Sequence, residues 1–196
     1  MVRHGETELN SALRYWGRSD VKLSPLGLSQ AERLRDRLTC EKIDAIYSSS
    51  MIRARVTAEI ISSGHRVPIS ECPELCEVDF GKLEGLTFEE IKQQYPDVAK
   101  LWIERSPNLE YPEGESRNRF YDRVCGFIPR LGNHHSDETI LIVAHSGVLR
   151  TVICHLIGID LDFRWHMRLD LASLSIIETF PNMNVLTLLN DTSHLR

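Results

Sequence analysis

Thr139-Ile140-Leu141-Ile142-Val143-Ala144-His145-Ser146-Gly147 is the stretch that decides the fold. Residues 139–143 form a continuous apolar run, the pattern of a parallel strand covered on both faces. Residues 147–157 follow with helical character. His145 stands between strand and helix, at the strand's carboxyl end. In open α/β sheets that end is where ligands bind.

The same succession recurs upstream. Residues 43–47 read as a short buried strand, followed by Ser48-Ser49-Ser50-Met51-Ile52-Arg53-Ala54 and a helix over 51–62 with Met51, Ala54, Ala58 and Ile61 inward. At the amino terminus, Met1 and Val2 lead directly into Arg3-His4-Gly5-Glu6-Thr7. A helix over 24–39 begins at Ser24-Pro25, a cap followed by proline at the first helical position. Its apolar stripe is Leu26, Ala31, Leu34 and Leu38. A brief strand is expected over 67–70 and helices over 87–95, 97–105 and 115–131. Two antiparallel strands are expected over 173–180 and 184–190, around Pro181-Asn182-Met183. Strands alternating with helices predict a three-layer α/β sandwich with a mainly parallel central sheet and an antiparallel carboxyl-terminal pair. His4, Ser48 to Arg53 and His145 then share one edge of the sheet. Residues 1–196 read as a single domain, and residues 80–116 as an insertion capping that edge.

A chain of 196 residues, 42% apolar and 26% charged, can bury a full core. Its net charge of -5 argues against nucleic-acid or membrane binding by the whole surface. An acidic protein acting on an anion must gather its positive charge locally. The five cysteines, Cys40, Cys72, Cys76, Cys125 and Cys154, leave one over from full pairing. Their spacing suits neither a disulfide scaffold nor a four-ligand zinc site. Cys72 and Cys76 could be read as a metal pair, but reduced structural thiols are the favoured reading. With no leader sequence and no apolar run of membrane-spanning length, the expected location is the cytoplasm. No metal and no cofactor is expected, and the paired His134-His135 reads as an exposed loop.

The motifs together supply two histidines, two arginines and an acid, a set suited to attacking and stabilising a phosphoryl group. Guanidinium presents planar paired donors that match phosphate oxygens. Arg3 and Arg53 are the expected grips, Arg53 near the start of a helix whose free amides also favour anions. Arg55 lies on another face and is the poorer candidate. Ser146 does not belong to a serine-hydrolase elbow, because Ala144 and Val148 occupy the glycine positions. No G-x-x-x-x-G-K loop occurs, so nucleoside triphosphate use is not suggested.

These motifs, with Leu75-Cys76-Glu77-Val78-Asp79-Phe80-Gly81 and Pro112-Glu113-Gly114-Glu115-Ser116, stand in the order of the histidine phosphatase superfamily, which the chain resembles from residue 2 to about 177. The resemblance implies His4 as nucleophile through a phosphohistidine intermediate. It implies His145 as the second histidine, donating to the phosphoryl group with help from the amides of Ser146 and Gly147, and Glu77 as general acid. Asp79 and Glu84 are its rivals by chemistry alone. Asn10 and Arg14 match positions lining the substrate entrance. Glu115 and Ser116 sit where the family's loop borders the pocket, although Ser116 also reads as a helix cap. Trp102, Tyr111 and Trp165 read as packing residues, and Trp16 as the aromatic facing substrate. Three departures stand out. Ser50 replaces a usual aspartate, Leu171 a frequent asparagine, and only two residues precede Arg3 where several apolar ones are usual, which suggests a truncated start.

The same site serves a phosphatase, which admits water, or a mutase, which excludes it. Only 26 residues, rich in glutamate, separate Gly85 from Pro112. The cofactor-dependent mutases carry a longer insertion with added basic residues, so hydrolysis of a small phosphate monoester is the expectation. The segment Arg14-Tyr15-Trp16-Gly17-Arg18-Ser19-Asp20 and the length are similar to alpha-ribazole phosphatases. A phosphoglycerate mutase and a non-catalytic phosphate-binding module are the alternatives. The carboxyl-terminal strands could pair two copies into a homodimer.

Overall fold

The computed structural model describes residues 1–9 and 14–196. Its strands are β1 (Val2–Arg3), β2 (Ala45–Ser49), β3 (Ile69–Cys72), β4 (Ile140–Ala144), β5 (Leu174–Phe180) and β6 (Met183–Asp191). They form one six-stranded sheet in the order β3-β2-β4-β1-β5-β6. β1 to β4 run parallel, while β5 is antiparallel to both β1 and β6.

Alternation along β4 shows why the molecule has three layers. Leu141 and Val143 pack with Leu34, Leu38, Ala54, Ala58 and Ile61 from α1 (Pro25–Leu38) and α2 (Ile52–Ser62). Ile142 and Ala144 point the other way. They meet Phe120, Val124, Val148, Leu149, Val152 and Ile153 from two later helices, which the chain order makes α5 (Arg117–Cys125) and α6 (Ser146–Ile157). Each fully buried aliphatic chain contributes about 1.5–3 kcal/mol, so neither face can be left to water. Between α2 and α5 in sequence lie α3 (Phe88–Gln94) and α4 (Pro96–Ile103). They build a separate cluster on Phe80, Leu83, Ile91, Ala99, Leu109 and Tyr111. The amino terminus enters the sheet itself. The Met1 amino group donates to Ser175 O at 2.8 Å, and burial lowers its pKa to about 5.

Local chemistry sets the element ends. Ser24 accepts from Gly27 N at 3.1 Å and donates to Glu6 at 2.8 Å, so one hydroxyl caps α1 and ties it to the loop after β1. That loop and the helix touch through backbone. A Cβ at Gly5 would stand 2.5 Å from Gly27 O, inside any real contact. α3 opens on a capping box of Thr87 and Glu90.

Several expected boundaries move. The second strand runs two residues later than 43–47, because Ser48 and Ser49 are fully buried and pair with Glu71 and Cys72 of β3. Their polarity hides them from an apolar pattern. The third strand shifts likewise, to 69–72. The expected 115–131 helix ends at Cys125 and gives way to a 3-10 segment over Ile128–Asn133, where Pro129 has no N–H to continue an α-helix. His134 is half-buried, held between Tyr47 Oη at 2.9 Å and Glu138 at 2.7 Å, and is not the exposed loop residue expected.

Candidate active site

The carboxyl ends of β1, β2 and β4 deliver the chemistry to one cavity of about 310 Å³. His4 follows β1, and its amide donates to Ala144 O at the end of β4 at 3.0 Å. The strand pairing that holds β1 therefore also fixes the backbone of His4. His145 follows β4 as the N-cap of α6, and its ring centroid lies 5.1 Å from that of His4. Arg53 comes from the first turn of α2, immediately after β2.

His4 Nδ1 lies 2.7 Å from Gly5 O. A carbonyl can only accept, so Nδ1 carries the proton and Nε2 keeps its lone pair. Burial, then the Arg53 and Arg3 charges, push the His4 pKa well below the usual imidazole range, and the Gly5 bond offsets this only in part. The ring is therefore neutral, with Nε2 unprotonated. His145 is held in the opposite tautomer. Arg53 Nε–H, which can only donate, meets its Nδ1 at 3.3 Å, so the proton sits on Nε2 and reaches Ser49 Oγ at 2.8 Å. Burial, followed by Arg53 and His4, lowers the His145 pKa well below normal too. Both its nitrogens are thus engaged inside the protein.

Arg53 also donates to Gly17 O at 2.7 Å and Ser19 O at 2.9 Å, which fastens the loop before α1 to the site. Asp20 of that loop accepts from Ile52 N at 2.7 Å, capping α2 where Met51 offers no capping side chain. Arg3 donates to Leu169 O at 2.6 Å, while its Nε is buried with no partner among the described residues. Burial brings the Arg3 guanidinium down to about 10, with Glu77 pulling the other way.

Glu77 lines the cavity and its rivals do not. Glu84 is spent on the amides of Arg18 and Ser19 and on the Ser19 hydroxyl. Asp79 accepts from Gly81 N at 2.9 Å and caps a turn. Glu77 Oε2 accepts from Gly147 N at 3.1 Å, and Oε1 from Val78 N at 3.0 Å. The Gly147 amide therefore serves the carboxylate, whereas Ser146 Oγ is buried without a partner among the described residues. Ser146, Gly147 and Arg14 all line the cavity. Arg14 nevertheless commits itself to Gly85 O at 2.6 Å and Glu90 at 2.7 Å. Asn10 lies outside the described residues. Ser116 caps α5 and Glu115 pairs with Arg123, so neither reaches the cavity.

Several residues escape the sequence reading. Trp16 lines the cavity as expected, but so do Trp102, Tyr111 and Trp165. Phe80 stacks on Trp102 with centroids 5.6 Å apart, making one aromatic wall. Arg150 and Arg164 also line it. Arg150 carried a weak signal, one helical turn beyond Ser146 and Gly147; Arg164 carried none. Arg123 is a hidden support. Its guanidinium donates at 2.8 Å to Glu74 O and to Cys76 O, strapping down the segment that carries Glu77. Among the described residues no group of three or more His, Cys, Asp or Glu could hold a metal ion, and no helix is long and apolar enough to cross a membrane.

Comparison with known proteins gives one answer. The chain is 35% identical over 195 residues to phosphoserine phosphatase 1 of Hydrogenobacter thermophilus, covering 100% of this chain and 92% of that protein. It is 32% identical over 190 residues to the adenosylcobalamin/alpha-ribazole phosphatase of Escherichia coli, covering 97% and 94%. The solved structure of a putative alpha-ribazole-5'-P phosphatase from Escherichia coli superposes with a TM-score of 0.90 at 32% identity, over 97% of this chain and 94% of that one. The family model of the histidine phosphatase superfamily (branch 1) matches residues 1–192. A paired-histidine, arginine-lined pocket at the strand ends and these matches together make the chain a phosphatase of the histidine phosphatase superfamily.

Proposed function

We propose that the protein hydrolyses a small phosphorylated metabolite without a metal, through a phosphohistidine on His4. The observation that carries this is the 2.7 Å bond from His4 Nδ1 to Gly5 O, which frees Nε2 in a cavity bearing arginines and an acid. Nε2 attacks phosphorus, the ester P–O bond breaks, and Glu77 protonates the departing alkoxide. Glu77 then takes a proton from water, whose oxygen attacks phosphorus as the P–N bond breaks. Arg3 and Arg53 neutralise the phosphoryl oxygens. Their charge counts for more here than in water because the site is buried. An arriving phosphoryl oxygen draws Arg53 Nε off His145 Nδ1. The phosphate charge then favours uptake of a proton from solvent at that nitrogen, giving an imidazolium from which His145 donates to the phosphoryl group. Residues 80–116 act as the cap, placing the Phe80–Trp102–Tyr111 wall over the leaving group. Arg14 steadies that wall, and Asn10 belongs to the same entrance.

The relatives bracket the leaving group between an amino acid and a nucleoside-like alcohol. We place the enzyme in the cytoplasm, in keeping with five unpaired cysteines, with β6 as the edge through which two copies would pair.

The test is phosphate release from p-nitrophenyl phosphate, phosphoserine, alpha-ribazole phosphate and 3-phosphoglycerate, with chelator present. Release should persist in chelator. Rapid quenching should trap an acid-labile phosphoenzyme, and both should vanish in His4→Ala. Full turnover by His4→Ala refutes the assignment. Phosphoryl transfer to a second hydroxyl without net release turns the reading to a mutase.

A further inference from the structure

Six arginines line the cavity, and four have acceptors within the protein. Arg3 and Arg53 donate to main-chain carbonyls. Arg14 pairs with Glu90, and Arg117 with Asp162. Arg150 and Arg164 differ. Neither has a hydrogen bond or ion pair among the described residues, and the Nε of each is buried without a partner. Arg164 rests on aromatic faces, 4.9 Å from the Tyr121 centroid and 4.2 Å from that of Trp165. That contact orients its plane and leaves its donors free.

From this we infer that Arg150 and Arg164 form a second anion subsite that reads a carboxylate on the leaving half of the substrate. The inference deepens the phosphatase reading and rests on it. Arg150 projects from α6 on the side of Ser146 and Gly147, one turn along, so its reach begins where the phosphoryl site ends. Burial, and in second place the opposing pull of Glu77, sets the state of Arg150, and Arg164 adds a repulsion that depresses it further. Two cations in one part-buried wall, neither hydrogen-bonded to a counter-ion among the described residues, are a standing cost that a bound anion removes. A carboxylate fits because its two oxygens match the guanidinium fork. The pocket's small volume favours a compact acid. Phe120 and Trp165 line the same cavity and offer no side-chain acceptor to which an uncharged hydroxyl or amine could donate on that side.

Phosphoserine and phosphoethanolamine differ by that carboxylate alone and form the test pair. The wild-type enzyme should favour phosphoserine in kcat/KM by roughly 10²-fold, and alpha-ribazole phosphate should rank with phosphoethanolamine. Arg150→Met and Arg164→Met should each shrink the preference by roughly tenfold or more, chiefly through KM, and Arg150→Lys should restore part of it. In parallel, calorimetric binding of both compounds to His4→Ala protein reads the subsite without turnover, so a failed hydrolysis reading does not hide it. Tighter binding of phosphoserine, lost on adding Arg150→Met, supports the subsite even where no phosphate is released. A preference that survives both substitutions overturns the inference. So does an equal loss on both compounds, or a higher kcat/KM for alpha-ribazole phosphate than for phosphoserine.

Discussion

Gly147→Ala isolates the placement of the proposed acid from its chemistry. A Cβ at Gly147 would lie 2.6 Å from Glu77 Oε1, 3.3 Å from Cδ and 3.4 Å from Oε2. Ordinary contact begins near 3.4 Å, so the carboxyl group must retreat by roughly 0.8 Å. That shift takes Oε2 out of reach of the Gly147 amide, now 3.1 Å away. A displacement on the order of 1 Å costs about 10²-fold in a reaction that depends on alignment. Meanwhile Gly147 is the second residue of α6, where alanine is favoured over glycine by up to about 1 kcal/mol. The prediction is therefore a dissociation. The melting temperature should hold or rise, kcat on alkyl phosphates should fall roughly 10²-fold, and p-nitrophenyl phosphate, whose leaving group needs little protonation, should lose only a few-fold. Adding Glu77→Gln to Gly147→Ala should cost far less than it does alone, because both remove one function. Steady-state kinetics on the two substrates, with thermal unfolding alongside, decide it. Undiminished alkyl-phosphate turnover, or equal losses on both substrates, refutes the placement of Glu77 as the proton donor.

Arg123→Met should release the strap on the Glu74 and Cys76 carbonyls and leave Glu115, 11% exposed, without its bidentate partner. Denaturant unfolding should show a loss of about 3 kcal/mol, and the remaining activity should depend more steeply on leaving-group basicity; a stable variant with an unchanged leaving-group slope would count against the strap. Much of the pH dependence of stability follows from the two histidines, 5% and 1% exposed, whose folded pKa values lie well below 6.5, with the buried Met1 amino group, lowered to about 5, acting in the same direction. Because the unfolded chain binds protons that the folded one refuses, the histidines' contribution is complete above about pH 6.5 and declines as pH falls toward the folded values, at up to about 1.4 kcal/mol per pH unit for each. Urea midpoints between pH 7.5 and 5.5 should fall accordingly, and His145→Asn should flatten the profile; a flat wild-type profile contradicts neutral burial of both rings.

The sequence exposed what repeats and hid what converges. Residues 139–143 announced a strand because both faces of β4 are apolar, and that strand placed His145, β1 and the three layers around it. Ser48 and Ser49 lie beyond the apolar run and yet form strand, because their hydroxyls are satisfied inside the fold, Ser48 by Ser49 O and Ser49 by His145. No periodicity records a polar side chain whose partner lies about a hundred residues away. The same holds for the acid. Glu77, Asp79 and Glu84 are equal as carboxylates in sequence, and only the fold spends Glu84 on a loop and Asp79 on a turn while turning Glu77 into the cavity. The arginines carry this furthest. Arg53 was legible from its place at the head of a helix, whereas Arg164 sits in a 3-10 segment whose position depends on Tyr121 and Trp165. The residues proposed to grip the phosphoryl group answer to a demand every substrate makes, and they sit at strand ends where the chain must pass. The residues proposed to read the leaving group answer to one substrate, and they come from wherever the surface closes over it. On that proposal, specificity in this chain is written in the segments with the weakest local signal, and the charge left unpaired in the cavity is the mark by which it is found.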